Sequence, residues 1–99
     1  MMRRAAKTDR NHREVSQALT QCGAWVIDCS GVGEGYPDLN VVHRGRVLFV
    51  EVKDGSKPPS ARKLTPAQVE FHARAAAHGV PVHVVKDTEE AIELIKSQV

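Results

Sequence analysis

The sequence predicts an α/β domain in which helices cover both faces of a sheet, with elements in the order α-β-β-β-α-β-α. Three observations predict it. A hairpin occupies 36–53: Val41-Val42 and Val47-Leu48-Phe49-Val50 are β-branched or apolar, and Arg44-Gly45 between them is a natural two-residue turn. Apolar residues fall on both faces of those strands, which implies cover on both sides. A helix start occupies 64–69, where Thr65 serves as N-cap, Pro66 as the first helical residue and Gln68 as the far half of a capping box. Leu64 and Val69 flank it as a hydrophobic staple.

The remaining elements follow in chain order. Residues 1–8 are polar and basic and read as an N-terminal arm, leaving 9–99 as one domain. Asp9 or Asn11 caps a first helix that runs to about Gln21 and stops at Gly23, with Val15, Leu19 and Cys22 spaced to face the core. Residues 24–29 (Ala-Trp-Val-Ile-Asp-Cys) read as a strand, with Trp25 as core. The loop at 30–36 carries glycines at 31, 33 and 35; it matches neither GxGxxG nor a P-loop and reads as a mobile connection into Asp38. Past the hairpin, Pro58-Pro59 excludes regular structure from the loop at 54–63. The helix beginning at Thr65 ends near His78-Gly79. Residues 80–85 form a fourth strand and 88–97 a terminal helix with Ala91, Ile92 and Ile95 inward.

Composition narrows the class. At 99 residues the chain holds one modest core, and its 41% apolar and 26% charged residues are ordinary for a globular protein. The net charge of +2 hides an uneven spread. Arg3, Arg4, Lys7, Arg10 and Arg13 crowd one end, Lys53, Lys57, Arg62 and Lys63 form a second cluster, and Asp87, Glu89, Glu90 and Glu93 make the far end acidic. Local basic patches suit a phosphate-bearing partner. Cys22 and Cys29 lack metal-ligand spacing and read as small buried hydrophobes of a reducing compartment. No apolar run approaches about 18 residues, and no signal-peptide hydrophobic region is present, so a cytoplasmic protein without a membrane partner is expected.

The chemistry concentrates in the hairpin. With Arg44-Gly45 as the loop, His43 faces Arg46 and, counting outward, Asp38 faces Glu51. Their Cβ atoms then lie about 5 Å apart on one face. Two ionised carboxylates at that distance repel by roughly 3 kcal/mol at an effective dielectric near 20. A cation between them removes the penalty. Alternation places Lys53 on the same face as Glu51, so two carboxylates and an ammonium converge at the end of the hairpin.

Pro37-Asp38, a hairpin-length gap and Glu51-Val52-Lys53 together resemble the PD-(D/E)XK nuclease signature, and the element order matches that superfamily's core. Gly35-Tyr36-Pro37-Asp38-Leu39, Glu51-Val52-Lys53 and Leu64-Thr65-Pro66-Ala67-Gln68 resemble, more narrowly, the VRR-NUC branch, whose small stand-alone phage and bacterial members are similar to Holliday-junction resolvases. The resemblance runs from about Asn11 to Ile95. It implies a restriction-endonuclease-like fold with a central mixed sheet flanked by helices. It also implies an Mg²⁺- or Mn²⁺-dependent deoxyribonuclease acting on DNA, branched DNA included. In the roles it implies, Asp38, Glu51 and the Val52 carbonyl hold the metal, Lys53 assists at the phosphate, and Gln68 touches the phosphate or positions the lysine. Glu14 matches a first-helix acid that holds a second metal directly or through water. By analogy, cutting two strands favours a homodimer.

Ordinary readings stand beside these. Asp38 is also a turn aspartate after Pro37, Glu51 and Lys53 are also charges of an exposed strand edge, and Glu14 is equally a helix-surface carboxylate. The capping box alone explains Gln68. His12, His43, His72, His78 and His83 show no ligand spacing and read as surface or helix-end residues, with His43 and His83 near a DNA path. The alternative function is a nucleic-acid-binding module of the same fold that does not cut.

Overall fold

A computed structural model of the chain describes residues 10–98. The N-terminal arm at 1–8 and the capping candidate Asp9 lie outside the described residues. The elements are helix α1 (Arg10–Gln21), strands β1 (Trp25–Asp28), β2 (Leu39–His43) and β3 (Arg46–Val52), a single 3₁₀ turn (Pro59–Arg62), helix α2 (Pro66–Ala77), strand β4 (Val82–Val85) and helix α3 (Thr88–Lys96). The expected order holds throughout. The 3₁₀ turn corrects the reading of Pro58-Pro59: proline fixes φ near the value a helical first turn needs, so Pro59 starts a short helix.

The sheet order is β1-β2-β3-β4. The first three strands run antiparallel and β4 lies parallel to β3, which makes the sheet mixed. The β2–β3 register is the one the symmetric turn dictates, from His43 opposite Arg46 to Leu39 opposite Val50. Arg44 (φ 51°) and Gly45 (φ 80°) are both left-handed, the geometry of a type I′ turn whose twist matches the strands.

One face of the sheet packs on α1 and α3. Val15 and Leu19 of α1, Leu39, Val41 and Val50 of the sheet, and Ala91 of α3 are all 0% exposed. Fully burying each of the larger aliphatics contributes about 1.5–3 kcal/mol. The helix ends are well made. Ala24 N–H donates to the Leu19 carbonyl (3.2 Å) and Gly23 N–H to that of Thr20 (2.9 Å), closing α1 in a Schellman motif. At α2 the capping box forms as expected: Gln68 N–H donates to Thr65 Oγ1 (3.1 Å) and Thr65 N–H to Gln68 Oε1 (2.9 Å).

Helix α2 covers the other face, but only part of it. There Phe49, Tyr36 and Phe71 meet pairwise edge-to-face, with ring centroids 5.3–5.8 Å apart. The entry loop presses against the start of α2. A Cβ on Gly35 (φ +80°) would fall 2.2 Å from the Ala67 carbonyl oxygen, so only glycine fits.

Several sequence readings need correction. Trp25 is not core; it is 66% exposed, because β1 is an edge strand and α2 stops short of that corner of the sheet. His12 is buried rather than superficial, 7% exposed and one turn before Val15 on the inward stripe of α1. Asn11 lies inside α1 rather than at its cap. Ile92 is half-buried, at the edge of the stripe defined by Ala91 and Ile95.

Candidate active site

Asp38 sits one residue before β2, held from both sides. Its carbonyl accepts Cys29 N–H (2.7 Å), which continues the β1–β2 ladder, and its Oδ2 accepts Val52 N–H across the hairpin (2.8 Å). That second bond fixes the carboxylate against the Glu51-Val52 segment. Glu51 lies on β3 between β2 and β4, opposite Val84, and is 1% exposed. A carboxyl so deep needs partners. Its Oε2 accepts Gln68 Nε2 (3.0 Å). Its Oε1 is buried with no hydrogen-bond partner among the described residues, and His72 Nε2 stands 3.7 Å away.

The electrostatics follow. The Glu51 pKa is pushed up to about 8, first by burial and then by the adjoining Asp38 carboxyl, with Lys53 opposing. His72 is held below the usual imidazole range by burial and by the Lys53 ammonium.

Gln68 joins these groups. Its Oε1 accepts the Thr65 N–H of the capping box, which can only donate, so the amide is oriented unambiguously and its NH₂ faces Glu51. The same Oε1 accepts Lys53 Nζ (3.0 Å), and that ammonium also reaches the Lys63 carbonyl (3.4 Å). The two readings of Gln68 are therefore compatible: one amide caps α2 and ties Glu51 to Lys53.

The structure thus brings Asp38, Glu51, Lys53 and Gln68 together, with Val52 between the acid and the lysine. Glu14 lies exposed on α1. Among the described residues no three His, Cys, Asp or Glu side chains form a group placed to hold a metal, so Glu14 does not complete a trio with Asp38 and Glu51. Two residues at the site escaped the sequence. His72 was legible in principle, since it lies four residues after Gln68 and therefore on the same helix face. Asn11 was not. Its Nδ2 donates to the Lys53 carbonyl (2.6 Å) and the Lys86 carbonyl (3.1 Å), closing the ends of β3 and β4 from positions 42 and 75 residues away.

Comparison with known proteins decides the family. A solved structure described as a VRR_NUC domain superposes with a TM-score of 0.69 at 31% sequence identity, covering 94% of this chain and 98% of that one. The chain belongs to the VRR-NUC family. Comparison with family models and with curated proteins returned no match. In this VRR-NUC domain, the positions that carried the resemblance, Asp38, Glu51 and Lys53, lie together at the end of the hairpin. Among its described residues no helix is long and apolar enough to cross a membrane.

Proposed function

We propose that this VRR-NUC domain is a metal-dependent nuclease that hydrolyses phosphodiester bonds of DNA, selecting for branched substrates such as junctions and flaps. One observation carries the reading: Glu51 presents a buried carboxylate oxygen with no hydrogen-bond partner among the described residues, beside a second carboxylate that the hairpin register forces upon it. Such a pair is costly to ionise without a cation. The donor set fits Mg²⁺ or Mn²⁺, which take hard oxygens and need only one or two protein carboxylates. Asp38, Glu51 and the Val52 carbonyl would hold the ion. When bound, it polarises a phosphate and acidifies a coordinated water.

The chain's own residues supply the rest. Val52 N–H fixes one Asp38 oxygen, so the other remains for the ion. Gln68 holds the Lys53 ammonium level with Glu51, where it would meet charge building on the phosphoryl oxygens. Lys57, Arg62 and Lys63 lie on the segment leading into α2, beside Lys53, and would contact neighbouring phosphates without reading sequence. A single centre cuts one strand, so a symmetric pair of copies would cut two.

The test is cleavage of end-labelled four-way junction, flap, duplex and single-stranded DNA in Mg²⁺ and in Mn²⁺, with EDTA and Glu51→Ala as controls. The expected result is cutting of branched substrates that both controls abolish. Binding without cutting under every condition would replace the nuclease with a binding module.

A further inference from the structure

We propose that Trp25 is a stacking platform for an unpaired nucleobase of the DNA strand whose phosphate reaches Glu51 and Lys53. The proposal rests on the nucleic-acid reading of that site and deepens it by naming what the protein recognises.

The register places this tryptophan. Trp25 pairs with Val42, which pairs with Val47, so the three form one apolar row across β1, β2 and β3. Side chains alternate along a strand, and Val42 shares its face with Asp38 as Val47 does with Glu51. The row therefore lies on the face that carries the acids, at its opposite end. Trp25 is 66% exposed and Val47 61%. Val42 lies four positions along the chain from Asp38, about 13 Å at about 3.3 Å per step. That is the length of about four stacked nucleotides at about 3.4 Å each.

The surroundings favour a nucleic-acid strand as the occupant. Arg44 and Arg46 at the tip of the hairpin are exposed, and neither forms an ion pair with a described residue. Alternation turns Arg46 to the other face of the sheet, which leaves Arg44, in the turn itself, as the cation nearest the indole's face. An open indole near an exposed arginine is a combination that binds single strands: the cation holds a phosphate, and the ring takes a base face. A second copy of the chain fits poorly. Twofold symmetry would set this patch against itself and bring Arg44 toward its mate, and three side chains fall far short of the roughly 800 Å² per partner of a standard interface.

The consequence is selectivity. In a duplex both faces of each base are taken by its neighbours, so the indole has nothing to receive. At a flap, a fork or a junction a base can leave the stack. Trp25 would reward those structures about four nucleotides from the bond that the site addresses.

Trp25 is the chain's single tryptophan, so its emission reports this one place. The full chain is titrated, in EDTA and again in Ca²⁺, with a labelled single-stranded oligonucleotide and with the blunt duplex of the same sequence. Indole fluorescence and label anisotropy are read together. Saturating single strand should quench the indole, and saturating duplex should leave it unchanged. Trp25→Ala should weaken single-strand binding about 5- to 150-fold while duplex affinity stays within about twofold, and Trp25→Phe should restore most of the loss. Bound single strand with unchanged emission, or equal losses on both DNAs, overturns the proposal. So does sedimentation showing a wild-type dimer that Trp25→Ala converts to monomer, since Trp25 would then belong to an interface between copies. Quenching without cleavage in Mg²⁺ would end the nuclease reading and keep the platform; cleavage without quenching would do the reverse. No DNA binding under any condition ends both.

Discussion

Replacing Glu51 by glutamine should stabilise the chelated protein at neutral and alkaline pH while abolishing its response to metal. The size follows from the site. An unfolded glutamate titrates near 4.5, whereas in the fold burial and the Asp38 carboxyl push Glu51 up to about 8. Below the lower value both states are protonated, and the full stability of the fold is present. As pH rises past it, the unfolded state releases its proton first, so the fold loses stability until Glu51 itself ionises near 8. At about 1.36 kcal/mol per pH unit, the loss reaches roughly 3 kcal/mol by pH 7, an upper figure that local relaxation reduces. Glutamine keeps the shape and accepts from Gln68 in the same way, but has no proton to lose. Its NH₂ group can point toward His72 Nε2, which lies 3.7 Å from Glu51 Oε1.

The assay is urea unfolding of wild type and Glu51→Gln in EDTA from pH 5 to pH 8. Taking the difference between the two proteins cancels the carboxylates whose pKa is lowered, Glu90 by hydrogen bonds from Lys86 and Asp28 by those from Ser30. Wild type should lose about 2–3 kcal/mol relative to the variant across that range. Adding Mn²⁺ should raise the melting temperature of wild type and not that of the variant, because an ion that binds only the fold stabilises it by mass action. Parallel curves, within about 0.5 kcal/mol from pH 5 to pH 8, would refute the account of Glu51 as a carboxylate held against its own charge.

Two further outcomes follow from the same geometry. Lys53→Ala should cut the cleavage rate about 10²- to 10³-fold, measured in single turnover, while leaving the Mn²⁺ shift of the melting temperature in place, since the role proposed for the lysine is at the phosphate rather than at the ion. Asn11→Ala should cost about 1–3 kcal/mol in urea unfolding, because the Lys53 and Lys86 carbonyls lose the donor that joins the ends of β3 and β4.

The site was legible where chemistry repeats locally. The facing of Asp38 and Glu51 needed only a two-residue turn and counting, because a period of two leaves no freedom once the turn is set. The start of α2 was legible because a capping box is complete within four residues. What stayed hidden depended on chain segments far apart in sequence. Asn11 reads as a helix cap until the ends of β3 and β4 arrive beneath it. Trp25 reads as core because large aromatics usually are; its exposure follows from the position of β1 at the sheet edge and the limited reach of α2, and neither is encoded near residue 25. His12 reads as surface because histidine usually is; it is buried because it falls one turn before Val15 on the inward stripe of α1.

Gln68 shows how fold and site depend on each other. Its Oε1 accepts from the Thr65 backbone and from Lys53 at once, while its NH₂ donates to Glu51. Initiating α2 therefore orients the amide, and the oriented amide sets the lysine beside the buried acid. The entry loop meets the same turn of helix, because Gly35 admits the Ala67 carbonyl where any side chain would collide. Asp38 follows that loop by three residues, so the loop carrying one acid and the amide supporting the other are seated on a single turn of α2. A shift of that turn would move both carboxylates and the ammonium together, so damage to the N-terminus of α2 should appear in catalysis before it appears in the core, whose buried residues lie on the other side of the sheet.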